Sequence, residues 1–263
     1  MKELSKAGGV VLLFILIKII VFMLLKEASM HFLNITDESD SLNSKLVGLS
    51  TFISSIITLV LLFFWKPVTG FKDRWRRLPP FIILLLLVFG FLGIALNSFV
   101  LSFFIDSHQE VLNQSKSLLS SGVLGLLSIV ILVPIVEELV FRCIVIECLV
   151  KVVHPAGAIV LSALVFGVLH GTGVQVLGAC LLGLVFGWIY YQTRSVLPSI
   201  LLHVFNNGFF MYSLFISSRK EEANMIESIW SIQYEYGWYT AGISLCILIL
   251  LASTIKKLLK HHI

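Results

Sequence analysis

Eight apolar runs, at about 8–25, 46–65, 80–104, 118–152, 156–171, 173–192, 195–217 and 238–256, take up most of this chain. Crossing about 30 Å of hydrocarbon takes roughly twenty helical residues, so each run is the length of a membrane span or close to it. Of the 263 residues 58% are apolar and only 13% are charged, whereas a soluble domain carries charge on roughly a quarter of its residues. The expected fold is an all-α, polytopic membrane helix bundle of about eight transmembrane helices, forming one integral membrane domain over 1–263. The first apolar stretch is longer than a signal-peptide core and has no small-x-small site close behind it, so it is expected to stay as a helix.

The connecting segments sort by charge. Alternating from the N-terminus, one set holds Lys2, Lys6, Lys66, Lys72, Arg74, Arg76, Arg77, Arg142, Lys151, Arg194, Lys256, Lys257 and Lys260. The other holds Lys26, Lys45, Lys116, Arg219 and Lys220, while Lys18 lies inside the first run. By the positive-inside rule both termini face the cytoplasm, in the cytoplasmic membrane of the cell. "KPVTGFKDRWRRLPP" (66–80) is the strongest anchor, and with no basic domain beside it, it argues for topology and not for nucleic acid. The net charge of +4 then reflects orientation and attraction to anionic lipid. Cys143, Cys148, Cys180 and Cys246 fall within or beside runs without metal-type spacing and read as small buried apolar residues. On the opposite side, Asn34 opens an Asn-x-Thr pattern. Ile226, Trp230 and Tyr234 stand at helical spacing in 217–238, suiting an interfacial helix or an aromatic anchor for the last span.

Polar residues concentrate in one region. Glu137, Glu138, Arg142, His170, His203, Asn206 and Asn207 lie in the fourth to seventh runs, whereas the first three hold little beyond Lys18 and Asn97. A charge at the centre of a membrane helix costs roughly 2.5–3.5 kcal/mol on insertion scales, so such residues face a cavity or one another. Counted along ideal helices, Glu137 and His170 each lie roughly 21 Å from the nearer expected cytoplasmic end, and His203 and Asn207 roughly 12 and 18 Å. They can share a level. Glu138 and Arg142 are four apart and suit an intrahelical ion pair, which points Glu137 about 100° away. His203 and Asn207 share a face, as do Phe166 and His170, and Pro134 is placed to kink the helix and release a carbonyl.

"EELVFR" (137–142), "FGVLH" (166–170) and "HVFNN" (203–207) resemble the EExxxR, FxxxH and HxxxN motifs of the CAAX-processing and bacteriocin-processing (CPBP) family of intramembrane proteases, and a chain this compact looks like the bacterial branch. The resemblance covers about 118–215, the expected catalytic core; 1–117 supplies transmembrane helices without a motif. It implies an endopeptidase acting on a membrane-bound peptide or protein, with Glu137 and His170 activating water and His203 and Asn207 supporting the transition state. Glu138 and Arg142 would be supporting residues, Phe166 lies one turn below His170, and Asn206 leaves open which amide faces the site.

The chemistry is coherent by itself. A carboxylate and an imidazole can deprotonate water, an amide and an imidazole N–H can stabilise an oxyanion, and no GxSxG or HExxH signature points elsewhere. Glu137, His170 and His203 also form a ligand set suited to catalytic zinc with one open position; zinc and a metal-free pair both stay open. Other polar residues have plainer readings: solvated His154, His261 and His262, a cytoplasmic-side Glu147, and a helix-packing seam at Ala179, Gly183 and Gly187. Two other classes compete. Intramembrane Glu and His mark proton-coupled transporters, but here only one half of the chain is polar, against the matched halves such transporters show. A bacteriocin-immunity or adaptor protein of the same family whose site has lost catalysis is the other; the intact motif set argues against lost catalysis but not against an immunity role performed by cleavage.

Overall fold

The computed structural model describes residues 2–33, 40–65, 71–103, 118–171, 173–217 and 220–262. Side chains are described for these except at 30–33, 40–42, 72, 216–217, 220–236 and 261–262. The Asn34 pattern and the side chains of Ile226, Trp230, Tyr234, His261 and His262 lie outside the described residues. The architecture is all-helical, with no strand among the described residues. Among the described residues eight helices follow one another: α1 (Lys2–Leu33), α2 (Asp40–Trp65), α3 (Pro80–Ser102), α4 (Gly122–Leu149), α5 (Pro155–Val168), α6 (Gly173–Thr193), α7 (Leu197–Ser217) and α8 (Lys220–His262). A short 3₁₀ turn, Lys72–Trp75, precedes α3.

Six of these are long and apolar enough to cross a membrane: α1, α2, α3, α4, α6 and the Gly237–Lys260 part of α8. α7, Leu197–Ser217, has the length of the expected span and carries His203, Asn206 and Asn207 within an otherwise apolar sequence. α5 has only 14 residues, roughly 21 Å of helix, and stops short of the far side. The segment expected as a loop or interfacial helix at 217–238 is helical backbone from Lys220 onward, continuous with the last span.

α4 is the centre of the bundle, with α1, α2, α5, α6 and α7 packed against it, while α8 closes over α3, α6 and α7. Its side chains Val136, Val140, Phe141, Ile144 and Ile146 form the heart of the largest buried apolar cluster, and Phe63, Phe64, Phe81, Phe91 and Phe209 face outward as lipid-side bulk. Close approach is made by small residues, as the seam reading expected. A Cβ on Gly183 would stand 3.0 Å from Ala163, and one on Gly187 3.1 Å from Ile159, so α6 lies directly on α5. Cys143 and Cys148 are buried as expected, but Cys246 is exposed on α8.

One end of the bundle is strongly polar. Glu147, buried near the end of α4, accepts from Arg74 Nη2 (2.7 Å), Arg194 Nη1 (3.0 Å) and Tyr190 Oη (2.9 Å). Val196 N–H donates to the Arg74 carbonyl and Ser195 Oγ to that of Arg76, so the basic stretch is stapled to the α6–α7 connection. Lys151 Nζ lies 3.1 Å from Glu3 Oε2, and Gln192 shares a cleft with Lys256, Lys257 and Lys260. The two termini therefore sit at the same end, together with most of the cations expected on the cytoplasmic side. Arg142, counted with those cations by charge alone, is instead fully buried inside α4.

Candidate active site

α4 is not a plain α-helix. Ser128–Leu132 and Phe141–Ile146 are π-helical turns that bracket the regular segment Val133–Val140 carrying Glu137 and Glu138. The first has a readable cause. In π register each N–H reaches five residues back, as Val133 N–H does to the Ser128 carbonyl. The next donor in that series would be residue 134, and proline has no N–H. The Ile129 carbonyl left over is taken by Asn207 Nδ2 from α7 at 2.9 Å, and Asn206 Nδ2 holds the Asn207 Oδ1 at 3.2 Å. The released carbonyl expected from Pro134 thus becomes the tie between α4 and α7.

Glu138 is committed to an internal ion network. Its Oε2 lies 2.9 Å from Arg142 Nε and its Oε1 3.0 Å from His203 Nδ1, with both ends of the Glu138–Arg142 pair fully buried. Two aromatic faces border the Arg142 guanidinium, Phe166 at 5.0 Å and Phe186 at 6.0 Å. Because a carboxylate only accepts, His203 Nδ1 carries the proton in that contact. This leaves Nε2 as the nitrogen that faces the site, 3.8 Å from Glu137 Oε2. Glu137 is buried but turned away from Arg142, and its other oxygen lies 3.8 Å from Lys18 Nζ of α1. Both separations are too long for a hydrogen bond.

His170 comes from the unexpected shortness of α5. It sits in the turn just beyond the helix, not on its face, with its backbone N–H on the Gly167 carbonyl and Gly171 following at φ +91°. Irregular backbone inside a membrane protein is tolerated where protein surrounds it or a cavity is lined. The ring is fixed by Nδ1, 2.8 Å from the Phe166 carbonyl, and packs on the Phe166 ring at 4.5 Å. A carbonyl only accepts, so Nδ1 is protonated and Nε2 of neutral His170 holds the free lone pair. Phe166 is the hub, touching His170, His203 (6.0 Å), Phe141 (5.1 Å) and the Arg142 cation.

The structure therefore brings Glu137, Glu138, Arg142, His203 and Asn207 into one α4–α7 constellation, and ties His170 to it through Phe166. It does not assemble the predicted zinc set. Among the described residues no three His, Cys, Asp or Glu side chains converge on a common point. Two features of the site were not assigned from sequence. Lys18 was visible only as a lone cation in an apolar run, and Phe186, 5.5 Å from His203, carried no signal among twenty phenylalanines. His154 is exposed as expected, and its Nδ1 also caps α5 by accepting from Ala156 N–H.

Residues 119–209, which span all of these motif positions, match the family model described as type II CAAX prenyl endopeptidase, Rce1-like. No curated protein and no solved structure matches the chain.

Proposed function

We propose that this multi-pass membrane protein, whose residues 119–209 match the Rce1-like CAAX-protease family, is an intramembrane endopeptidase whose general base is Glu137. The observation that carries this reading is the division of labour between adjacent glutamates. Glu138 is engaged by Arg142 and His203, while Glu137, equally deep, meets its neighbours at 3.8 Å. A buried carboxylate without a close hydrogen-bonded partner is suited to take a proton from water.

In the proposed reaction the water oxygen bonds to the scissile carbonyl carbon as Glu137 accepts its proton. His170, held through Nδ1, offers its Nε2 lone pair to the same water. The oxyanion of the tetrahedral intermediate is met by the second N–H of Asn207, whose amide is already oriented by Ile129 and Asn206, and by Nε2–H of protonated His203. Glu138 orients His203 as a carboxylate orients the imidazole of a hydrolase triad. The C–N bond then breaks, and Glu137 returns its proton to the leaving amine. The proposed substrate is a membrane-associated peptide or protein, presented at the level of these residues within the cell membrane, with the basic end of the bundle in the cytoplasm.

The test is cleavage by vesicle-reconstituted protein of a quenched fluorescent peptide bearing a farnesylated cysteine followed by three residues. Wild type should cleave it, and Glu137→Gln should lose roughly 10²–10⁴-fold in kcat, the span of general-base contributions, while remaining folded. Unchanged turnover in a folded Glu137→Gln protein would remove Glu137 from the mechanism.

A further inference from the structure

A lysine near the middle of α1 needs a reason, because a cation at membrane depth is costly without a partner. Lys18 lies outside the family-matched segment, in a helix that carries no motif. Its ammonium stands 3.8 Å from Glu137 Oε1 and 4.4 Å from the centre of the Phe14 ring.

The placement follows from the register of two antiparallel helices. At the polar end of the bundle, Glu3 of α1 meets Lys151 just beyond α4 at 3.1 Å. From there Lys18 lies fifteen residues along α1 and Glu137 fourteen residues back along α4, roughly 22 and 21 Å of helix. Ala7, Val10 and Phe14 fill the interface between these two ion pairs by packing into the cluster that holds Val136 and Val140. The two pairs run in opposite senses, acid on α1 at the end and base on α1 at depth, so both fix the same alignment.

Charge balance gives the contact a purpose. The site holds two carboxylates, Glu137 and Glu138; Arg142 is engaged on Glu138, and His203, 3.8 Å from Glu137 through Nε2, adds a charge only in its protonated form. Among the described residues, Lys18 is the lysine or arginine in ion-pair range of Glu137, and it is 39% exposed, so its stem is free to follow the carboxylate. We propose that Lys18 is a positioning residue for the peptidase: it balances and orients Glu137 through Oε1, leaving Oε2 turned toward His203 and the reacting water. The inference rests on the reading of Glu137 as the base. On this view the motif-free N-terminal helix completes the active site.

The experiment uses the full chain in vesicles with the farnesylated peptide. Lys18→Met, which keeps the stem and removes the charge, should lower kcat by roughly 10–100-fold, the scale of a misoriented catalytic group, with KM unchanged. Lys18→Arg should recover most of that loss. A thermal-unfolding cycle supplies a second readout: Glu137→Gln should strand the ammonium and lower Tm, and adding Lys18→Met to that variant should raise it again. Wild-type kinetics in Lys18→Met beside an inactive Glu137→Gln would overturn the Lys18 role alone. Additive effects on Tm would also overturn it. Full activity in Glu137→Gln would instead overturn the underlying base assignment.

Discussion

Replacing Arg142 by Met tests whether the buried network holds the site together or merely fills space. At 2.9 Å the Coulomb attraction between Glu138 and Arg142 is about 6 kcal/mol at an effective dielectric near 20. Desolvating each ion costs several kcal/mol, so the intact pair is close to neutral for stability. Removing one partner is different, because Glu138 would remain fully buried without the arginine that pairs it, beside His203 at 3.0 Å. Arg142→Met should therefore lose about 3–5 kcal/mol. Its guanidinium also lies against Phe166 and Phe186, contacts worth about 0.5–2 kcal/mol each where desolvated. The double variant Glu138→Gln/Arg142→Met has no stranded charge and should recover most of the stability. It should not recover turnover, since the neutral amide that replaces the Glu138 carboxylate no longer anchors His203 through a charge. The assay is denaturant unfolding in detergent micelles, followed by tryptophan fluorescence, alongside peptide cleavage. A double variant no more stable than Arg142→Met would refute the stranded-charge argument, and one with wild-type turnover would refute the orienting role of Glu138.

Two further outcomes follow from the same geometry. Asn207→Ala should reduce kcat by about 10²–10³-fold, as loss of an oxyanion donor does; a variant that only unfolds more readily, at unchanged kcat, would leave Asn207 as the tie to Ile129 alone. Exhaustive treatment of purified protein with a strong zinc chelator should leave peptide cleavage intact, because Glu137, His170 and His203 do not converge as ligands; loss of cleavage that returns with added zinc would reverse that conclusion.

What could be read in advance divides along physical lines. Run length and charge bias are properties of the chain itself, so the helical membrane bundle, the central polar region and the clustering of cations at one end followed from them. The Glu138–Arg142 pair was legible too, since a spacing of four within one helix needs no knowledge of neighbours. Contacts between helices were not. Nothing in residues 2–33 says that Lys18 will face Glu137, because that depends on how α1 slides along α4, and Glu3–Lys151 is recognisable as a register mark only once both helices are placed. Likewise Glu147 looked like an ordinary polar residue at a helix end, and its burial under Arg74, Arg194 and Tyr190 depends on three separate segments. The short α5 was missed because Phe166 and His170 stand at helical spacing in the sequence, while the backbone leaves the helix at Leu169 and turns through Gly171.

Pro134 connects these levels, and its replacement separates stability from activity. In an ordinary helix interior proline is about 3 kcal/mol less favourable than alanine, so Pro134→Ala should not destabilise α4. The new N–H could bond back to the carbonyl of Ile129 or Val130 and would compete with Asn207 for the acceptor it now holds at 2.9 Å. A regularised helix would also rotate Glu137, three residues on, relative to α7. Pro134→Ala is therefore expected to unfold no more readily than wild type yet to cleave about tenfold or more slowly, since a displacement near 1 Å can cost on the order of a hundredfold. If Pro134→Ala cleaved at the wild-type rate, the π-helical turn would be a tolerated irregularity, and the Asn207–Ile129 tie would have no part in setting the geometry of Glu137.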